Sequence, residues 1–113
     1  MSRKRLPDTR QAVTKKFKVG DMRLYATAGF YEDGRLGEVF IKADRKGSFA
    51  TGALDAWAIC LSLGLQHGVP LEVYTTKLRG MRFEPDGLTG DPKFPMCSSV
   101  IDLVARWLQE VKP

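Results

Sequence analysis

The spacing of apolar residues changes once along this chain, and that change restricts the fold more than any motif does. From Gln11 to Ala43 apolar and polar residues alternate with period two; from Leu54 onward the apolar ones recur every three or four positions. Alternation sends successive side chains to opposite faces of a strand, whereas a 3.6-residue period gathers them on one side of a helix. In the first run, 11–19, Val13, Lys15, Phe17 and Val19 share one side, and Thr14, Lys16 and Lys18 the other. Gly20-Asp21 offers a tight turn. The second run, 22–31, alternates Leu24, Ala26, Ala28 and Phe30 with Tyr25, Thr27, Gly29 and Tyr31. Asp33-Gly34 is a hairpin signal, and the third run, 36–43, sets Val39 and Ile41 against Glu38, Phe40 and Lys42. Three strands joined by two short turns make an antiparallel meander.

Leu54, Trp57, Ala58, Leu61 and Leu65 then form the stripe of a buried helix face. This predicts a helix over 51–67, ended by Gly68 and Val69-Pro70. A shorter helix is expected over 71–79 and a last one over 99–111, with Ser98 or Ser99 as its cap and Val100, Leu103, Val104, Trp107 and Val111 as its stripe. Residues 81–96 carry Pro85, Gly87, Gly90, Pro92 and Pro95, too much punctuation for regular structure. Strands followed by helices define an α+β fold with the helices on one face of a small sheet. The expected organisation is an extended basic arm, 1–10, and one domain, 11–113. At 113 residues there is room for one core, and 43% hydrophobic with 27% charged residues excludes disordered and fibrous classes.

No apolar run approaches the roughly 18 residues a membrane helix needs, and no apolar segment follows the basic N-terminus as in a secretory signal. Cys60 and Cys97 are too few for a disulfide framework and read as free thiols of a reducing compartment, so a cytoplasmic domain without membrane contact is expected.

Net charge is +5, and it is unevenly placed. Arg3, Lys4, Arg5, Arg10, Lys15, Lys16 and Lys18 stand in the first 18 residues against the single acid Asp8, leaving eleven basic and twelve acidic residues in the rest. Such a segment attracts phosphates through counterion release, docks on an acidic partner, or is simply a solvated tail. A single histidine and two distant cysteines do not supply a zinc ligand set. His67 sits at a helix end, where an imidazolium suits the dipole. No phosphate-loop, dinucleotide or nucleophile-elbow pattern occurs. Glu38, Glu84 and Asp86 are the polar candidates for acid–base work and read more simply as turn residues. The segment Arg82-Phe83-Glu84-Pro85-Asp86-Gly87, preceded by Lys77, Arg79 and Met81, belongs to a loop long enough to suggest function or self-packing. Phe83 is expected to anchor it, leaving Arg79 and Arg82 outward as forks for phosphate or carboxylate, unless Arg82 pairs with Glu84 or Asp86.

The run Arg3-Lys4-Arg5-Leu6-Pro7-Asp8-Thr9-Arg10, the segments Tyr31–Ile41 and Ala58–Glu72, the Arg82–Gly87 loop and Ser99–Leu108 together resemble, in order and spacing, the C-terminal accessory domain of adenosylcobalamin-dependent (class II) ribonucleotide reductases, also called the TSCPD-type domain. In those enzymes this region follows the catalytic barrel that carries the cobalamin site and the reactive cysteines. The barrel does not fit in 113 residues, so the resemblance implies a freestanding domain with no chemistry of its own and no cofactor. The terminal cysteine pair of those enzymes is missing, and Met96-Cys97-Ser98-Ser99-Val100-Ile101-Asp102 matches the namesake motif only in part. Freestanding copies with this look occur in bacteria and phages, which makes a phage one expected source.

Four functions follow as expectations. The first is binding of a nucleotide or other phosphate-bearing ligand by Arg5, Arg10, Lys15, Lys16, Arg79 and Arg82. The second is single-stranded nucleic-acid binding on a sheet face holding Thr14, Lys16, Lys18, Tyr25, Thr27 and Tyr31, where bases stack on aromatic rings. The third is an interaction module, a homo-oligomer or one docking on a reductase catalytic subunit. The fourth, for a phage protein, is sequestration of a nucleotide signal of host defence.

Overall fold

Two turns built on glycine fold the first half of the chain into the meander that its alternation predicts. In the computed structural model, which describes residues 2–44 and 49–113, β1 (Ala12–Val19), β2 (Met22–Phe30) and β3 (Leu36–Ala43) form one antiparallel sheet in the order β1-β2-β3. Gly20 and Gly34 take φ values of +58° and +88° at the turns, backbone that an L side chain adopts only under strain. Phe17, Val19, Leu24, Ala26, Ala28, Val39 and Ile41 point to one side and are buried.

Among the described residues three helices complete the fold: α1 (Phe49–Gln66), α2 (Leu71–Leu78) and α3 (Val100–Leu108). α3 is buried along nearly its whole length, and Trp107 meets Phe17 edge-on at 6.0 Å. Ser99 caps it, its hydroxyl accepting from the Asp102 amide at 3.0 Å. α1 contributes Leu54, Ala58, Leu61 and Leu65 to the core. It also runs along the outer edge of β3. The Ser62 hydroxyl accepts from the Val39 amide at 2.8 Å and donates to the Val39 carbonyl at 3.0 Å, and the Gln66 amide donates to the Gly37 carbonyl at 3.0 Å. Two polar residues one helical turn apart thus satisfy the strand edge that would otherwise be open.

The structure corrects the sequence reading in several places. α1 begins two residues before its expected start at 51, and α3 ends at Leu108, short of 111, where the Glu110 and Val111 amides both turn back to the Trp107 carbonyl. Residues 81–96 were expected to be irregular, yet β4 (Gly87–Leu88) pairs with β5 (Met96–Cys97). The loop's anchor is Phe94, which is buried edge-on to Phe17 at 6.4 Å, while Phe83 is exposed. Phe83 stays at the surface, where it lines a hollow with Phe49, Pro85 and Ile101, whereas the Asp91 turn folds Phe94 inward: the Asp91 carboxylate accepts from the Lys93 and Phe94 amides at 2.9 and 3.1 Å. Finally, α1, with 18 residues and a mean hydropathy of 1.2, is long and apolar enough to cross a membrane by length and composition. Interspersed Gly, Ser and Thr hide this in the sequence, and its inner stripe packs on the sheet.

The basic arm lies on the domain. Met1 is outside the described residues. The Lys4 amide donates to the Gln66 carbonyl at 2.8 Å and Arg3 Nε to Gln66 Oε1 at 2.6 Å. The Tyr31 hydroxyl donates to the Lys4 carbonyl.

Candidate ligand-binding face

The strand register decides which charged residues share a surface. Thr14 pairs with Thr27 and Thr27 with Phe40; Lys16 pairs with Tyr25 and Tyr25 with Lys42; Lys18 pairs with Arg23. These residues form the side of the sheet opposite the core. Tyr25 and Phe40 are 49% and 53% exposed there. The Lys16 ammonium lies 6.0 Å from the Tyr25 ring centroid, and the Thr14 and Thr27 hydroxyls bond at 2.8 Å. Among the described residues no ion pair holds Lys16, Lys18 or Lys42, while Arg23 is only loosely paired with Asp44 at 3.4 Å. Neighbouring strands lie about 4.8 Å apart, so Lys16 and Lys42 stand roughly 10 Å apart with an exposed aromatic ring between them.

One end of this face is closed by an internal ion pair. Arg10 grips the Glu38 carboxylate with two bonds, 2.6 and 2.9 Å, and donates to the Pro7 carbonyl at 2.9 Å. The carboxylate fits because residue 29 is glycine: a Cβ there would lie 2.3 Å from Glu38 Oε2. The bond to Glu38 raises the Arg10 pKa further above its ordinary value, and the guanidinium's hydrogen-bonding edge is occupied.

The other expected site residues are dispersed. Lys15, on the core side of β1, binds Asp91 at 2.7 Å. That ammonium, with the Lys93 and Phe94 amides, holds the Asp91 carboxyl below the usual carboxylate range. Arg5 is exposed on the arm, Arg79 caps the C-terminus of α2, and Arg82 lines a hollow of about 330 Å³ with Cys97, Ser98, Asp102 and Arg106. None of the four described cavities is lined by more than one of the six cations expected to bind phosphate. Among the described residues Arg82 has no ion pair with Glu84 or Asp86.

Lys18, Lys16 and Tyr25 do come together. Tyr31 does not join them: the pairing shifts between Gly29 and Phe30 and β2 ends at Phe30. Its ring is buried between Lys4 and Arg35, 5.3 and 4.9 Å from the two cations. Sequence reasoning left Arg23, Phe40 and Lys42 out of the site. The signal was present in the alternation, but only the register across both hairpins shows that they share a face with Lys16 and Tyr25.

The hollow beside Arg82 is held by internal bonds. Asp102 accepts from the Gly80 amide at 2.7 Å, the Ser98 amide at 3.2 Å and Arg106 at 3.0 Å. Burial opposes its ionisation, but these donors outweigh it and leave its pKa below the usual range. Burial pushes the Cys97 thiol up, which makes it a poor nucleophile. His67 Nδ1 lies 2.8 Å from the Leu63 carbonyl at the end of α1.

Among the described residues the three-stranded sheet packs one face on helices and leaves the other open, basic and aromatic, in a small α+β domain. The chain belongs to the TSCPD domain family, whose model matches residues 1–112. It is similar to a segment of the vitamin B12-dependent ribonucleotide reductases: 50% identical over 106 residues to that of Streptantibioticus cattleyicolor, 45% to that of Rhodopirellula baltica and 39% over 107 residues to that of Agrobacterium fabrum. In each case 94% of this chain is covered, but only 18%, 10% and 8% of the relative. The chain therefore spans less than a fifth of the relatives it matches. No solved structure matches it.

Proposed function

We propose that this TSCPD domain is a non-catalytic accessory module whose bare sheet face binds single-stranded nucleic acid. The observation that carries the reading is the row Lys16–Tyr25–Lys42, an exposed ring flanked across the strands by two cations with no acidic partner among the described residues. A base stacked on Tyr25 within a strand has a phosphate on its 5′ side and another on its 3′ side, one for each lysine. A mononucleotide engages one lysine and leaves the other idle. Lys18 continues the basic track along β1, about 6.8 Å from Lys16 at the strand rise, and Phe40 offers a second stacking surface. The relatives are named as ribonucleotide reductases, so a ligand built of bases and phosphates is chemically consistent with them. The arm-and-loop phosphate site formed by Arg5, Arg10, Lys15, Arg79 and Arg82 gains no support from the geometry, since Arg10 and Lys15 are engaged internally and the others lie apart.

Fluorescence anisotropy with a labelled short oligothymidylate tests this, with mono-, di- and triphosphate nucleotides as competitors. Three phosphate contacts predict a slope of log affinity against log salt near about −2, at roughly −0.7 per contact for single strands. Tyr25→Ala removes one stacking platform and is expected to cost about 1–3 kcal/mol of binding. Full competition by a mononucleotide with a shallow salt slope, or an unchanged affinity in Tyr25→Ala, overturns the reading.

A further inference from the structure

We infer that the outer edge of β1 takes up an extended acidic segment of a protein partner as a fourth strand of the sheet. β1 and β2 pair in an unbroken register that sets Ala12 opposite Gly29 and Val19 opposite Met22. At its start the Phe30 amide donates to the Gln11 carbonyl at 3.0 Å. Residues 11 and 30 are therefore a hydrogen-bonded pair, and antiparallel pairs alternate between bonded and non-bonded. Val13, Lys15, Phe17 and Val19 accordingly turn their backbone groups toward β2, while Ala12, Thr14, Lys16 and Lys18 turn theirs outward. These last four are all exposed, and among the described residues no hydrogen bond from another segment reaches their amides or carbonyls. The opposite edge of the sheet differs, since Ser62 and Gln66 close β3. β1 also has neither a proline nor a bulge to blunt its edge, and lysine is the device it keeps.

Charge selects the occupant. Lys16 and Lys18 stand at two of the outward-bonding positions, about 6.8 Å apart, and among the described residues no ion pair holds either. Directly opposed residues of an antiparallel pair share one face of the sheet. An added antiparallel strand therefore sets alternate side chains across from Thr14, Lys16 and Lys18, where carboxylates form cross-strand ion pairs. Its intervening side chains fall on the side of Val13, Lys15 and Phe17. There Lys15 is already bound to Asp91 at 2.7 Å and Val13 packs against the core, so apolar residues suit those positions. The segment that fits thus alternates acidic with apolar residues. A second copy of this chain does not fit: its β3 edge is closed, and β1 against β1 gathers lysines without a carboxylate, since β1 holds none. Backbone bonding makes this edge a site for polypeptide, distinct in its atoms from the face on which Tyr25 lies.

Calorimetric titration of the full chain with a capped peptide as long as β1, glutamate alternating with valine, reads the outcome. The glutamate peptide is expected to bind, and the same peptide with lysine for glutamate is not. Methylating the peptide's own amides tests the backbone ladder without touching the fold. In the antiparallel strand the glutamate amides face β1 and the valine amides face away. N-methylglutamate is therefore expected to weaken binding about tenfold or more, a cost of 1.4 kcal/mol, while N-methylvaline keeps affinity within about twofold. The double variant Lys16→Glu, Lys18→Glu, changed at two exposed positions, should lose the glutamate peptide and gain the lysine peptide, which also shows that it is folded. No binding of the glutamate peptide at millimolar concentration, equal affinities for the two methylated peptides, or a double variant that still prefers glutamate overturns the inference. Tyr25→Ala is expected to weaken oligothymidylate binding and to leave peptide affinity unchanged, so failure here and failure of the proposed function are read separately.

Discussion

The three strands of the sheet present two faces of opposite character. On the core face Phe17, Leu24 and Val39 are at most 2% exposed; on the other, Tyr25 and Phe40 keep about half of their surface in water. The same backbone bonds support both, so what separates them is where their free energy is realised. Core-face side chains contribute to folding by burial against α1 and α3. Outward side chains contribute little to folding and are free to contribute to binding. The two lysines adjacent in sequence on β1 show the division most sharply: Lys15 is spent on Asp91 within the domain, while Lys16 faces solvent over Tyr25. This difference makes the faces separable by mutation.

The largest expected effect falls on the core face. Phe17 meets both Phe94 and Trp107 edge-on, so it joins the sheet, the long loop and α3. Phe17→Ala leaves a cavity at that junction and is expected to cost about 3–5 kcal/mol of stability, measured from urea unfolding. A loss below 1 kcal/mol would mean that the loop and α3 do not depend on the sheet for their packing.

A smaller effect distinguishes charge held inside from charge held outside. Asp102 is buried and bound by two amides and Arg106. Its native pKa is depressed, so its carboxylate stabilises the fold fully above the unfolded value of about 3.9, and that contribution is lost as pH falls through the lower native value. Asp102→Asn keeps the shape without the charge and is expected to cost about 1.5–3 kcal/mol at pH 7. The gap from the parent should close as both are titrated toward pH 2. A gap that persists at pH 2 would show that shape rather than charge holds the corner.

The division between the faces was largely legible in the sequence, because alternation is local: every residue of 12–30 is assigned to a side by its neighbours. The strands and the shared face of Lys16, Lys18 and Tyr25 follow from that, whereas the cap of α3, left open between Ser98 and Ser99, is decided by the bond from the Asp102 amide to Ser99. What escaped depends on contacts distant in sequence. Arg10 reads as a free cation until Glu38 is seen lying over Gly29, 28 positions from its partner. Tyr31 continues the alternation on paper, but the shift at Gly29 and Phe30 turns it onto Lys4 and Arg35. Phe83 reads as the anchor of its loop, but the hydrogen bonds around Asp91 give that place to Phe94. The apolar outer face of α1 was obscured because its residues are mostly small, and its exposure is visible only once the inner stripe is placed on the sheet.

The finest test compares neighbours on β1 that differ only in the face they occupy. Lys18 pairs with Arg23 at the turn end of the bare face and is exposed, so Lys18→Gln is expected to leave stability within about 0.5 kcal/mol of the parent. If Lys18 contacts a phosphate, the same change lowers the magnitude of the salt slope for oligonucleotide binding by about 0.7. Lys15→Gln removes an equal charge from the same strand, but from the side tied to Asp91. It should therefore lower stability by breaking the bond that holds the loop, with the slope left as it was. Counterion release depends on which cations touch phosphate, not on net charge, so the two variants lose the same +1 and yet diverge. Equal slope changes in both would mean that the ligand senses only a diffuse positive field. The bare face would then have no claim to be the site, however well its residues are arranged.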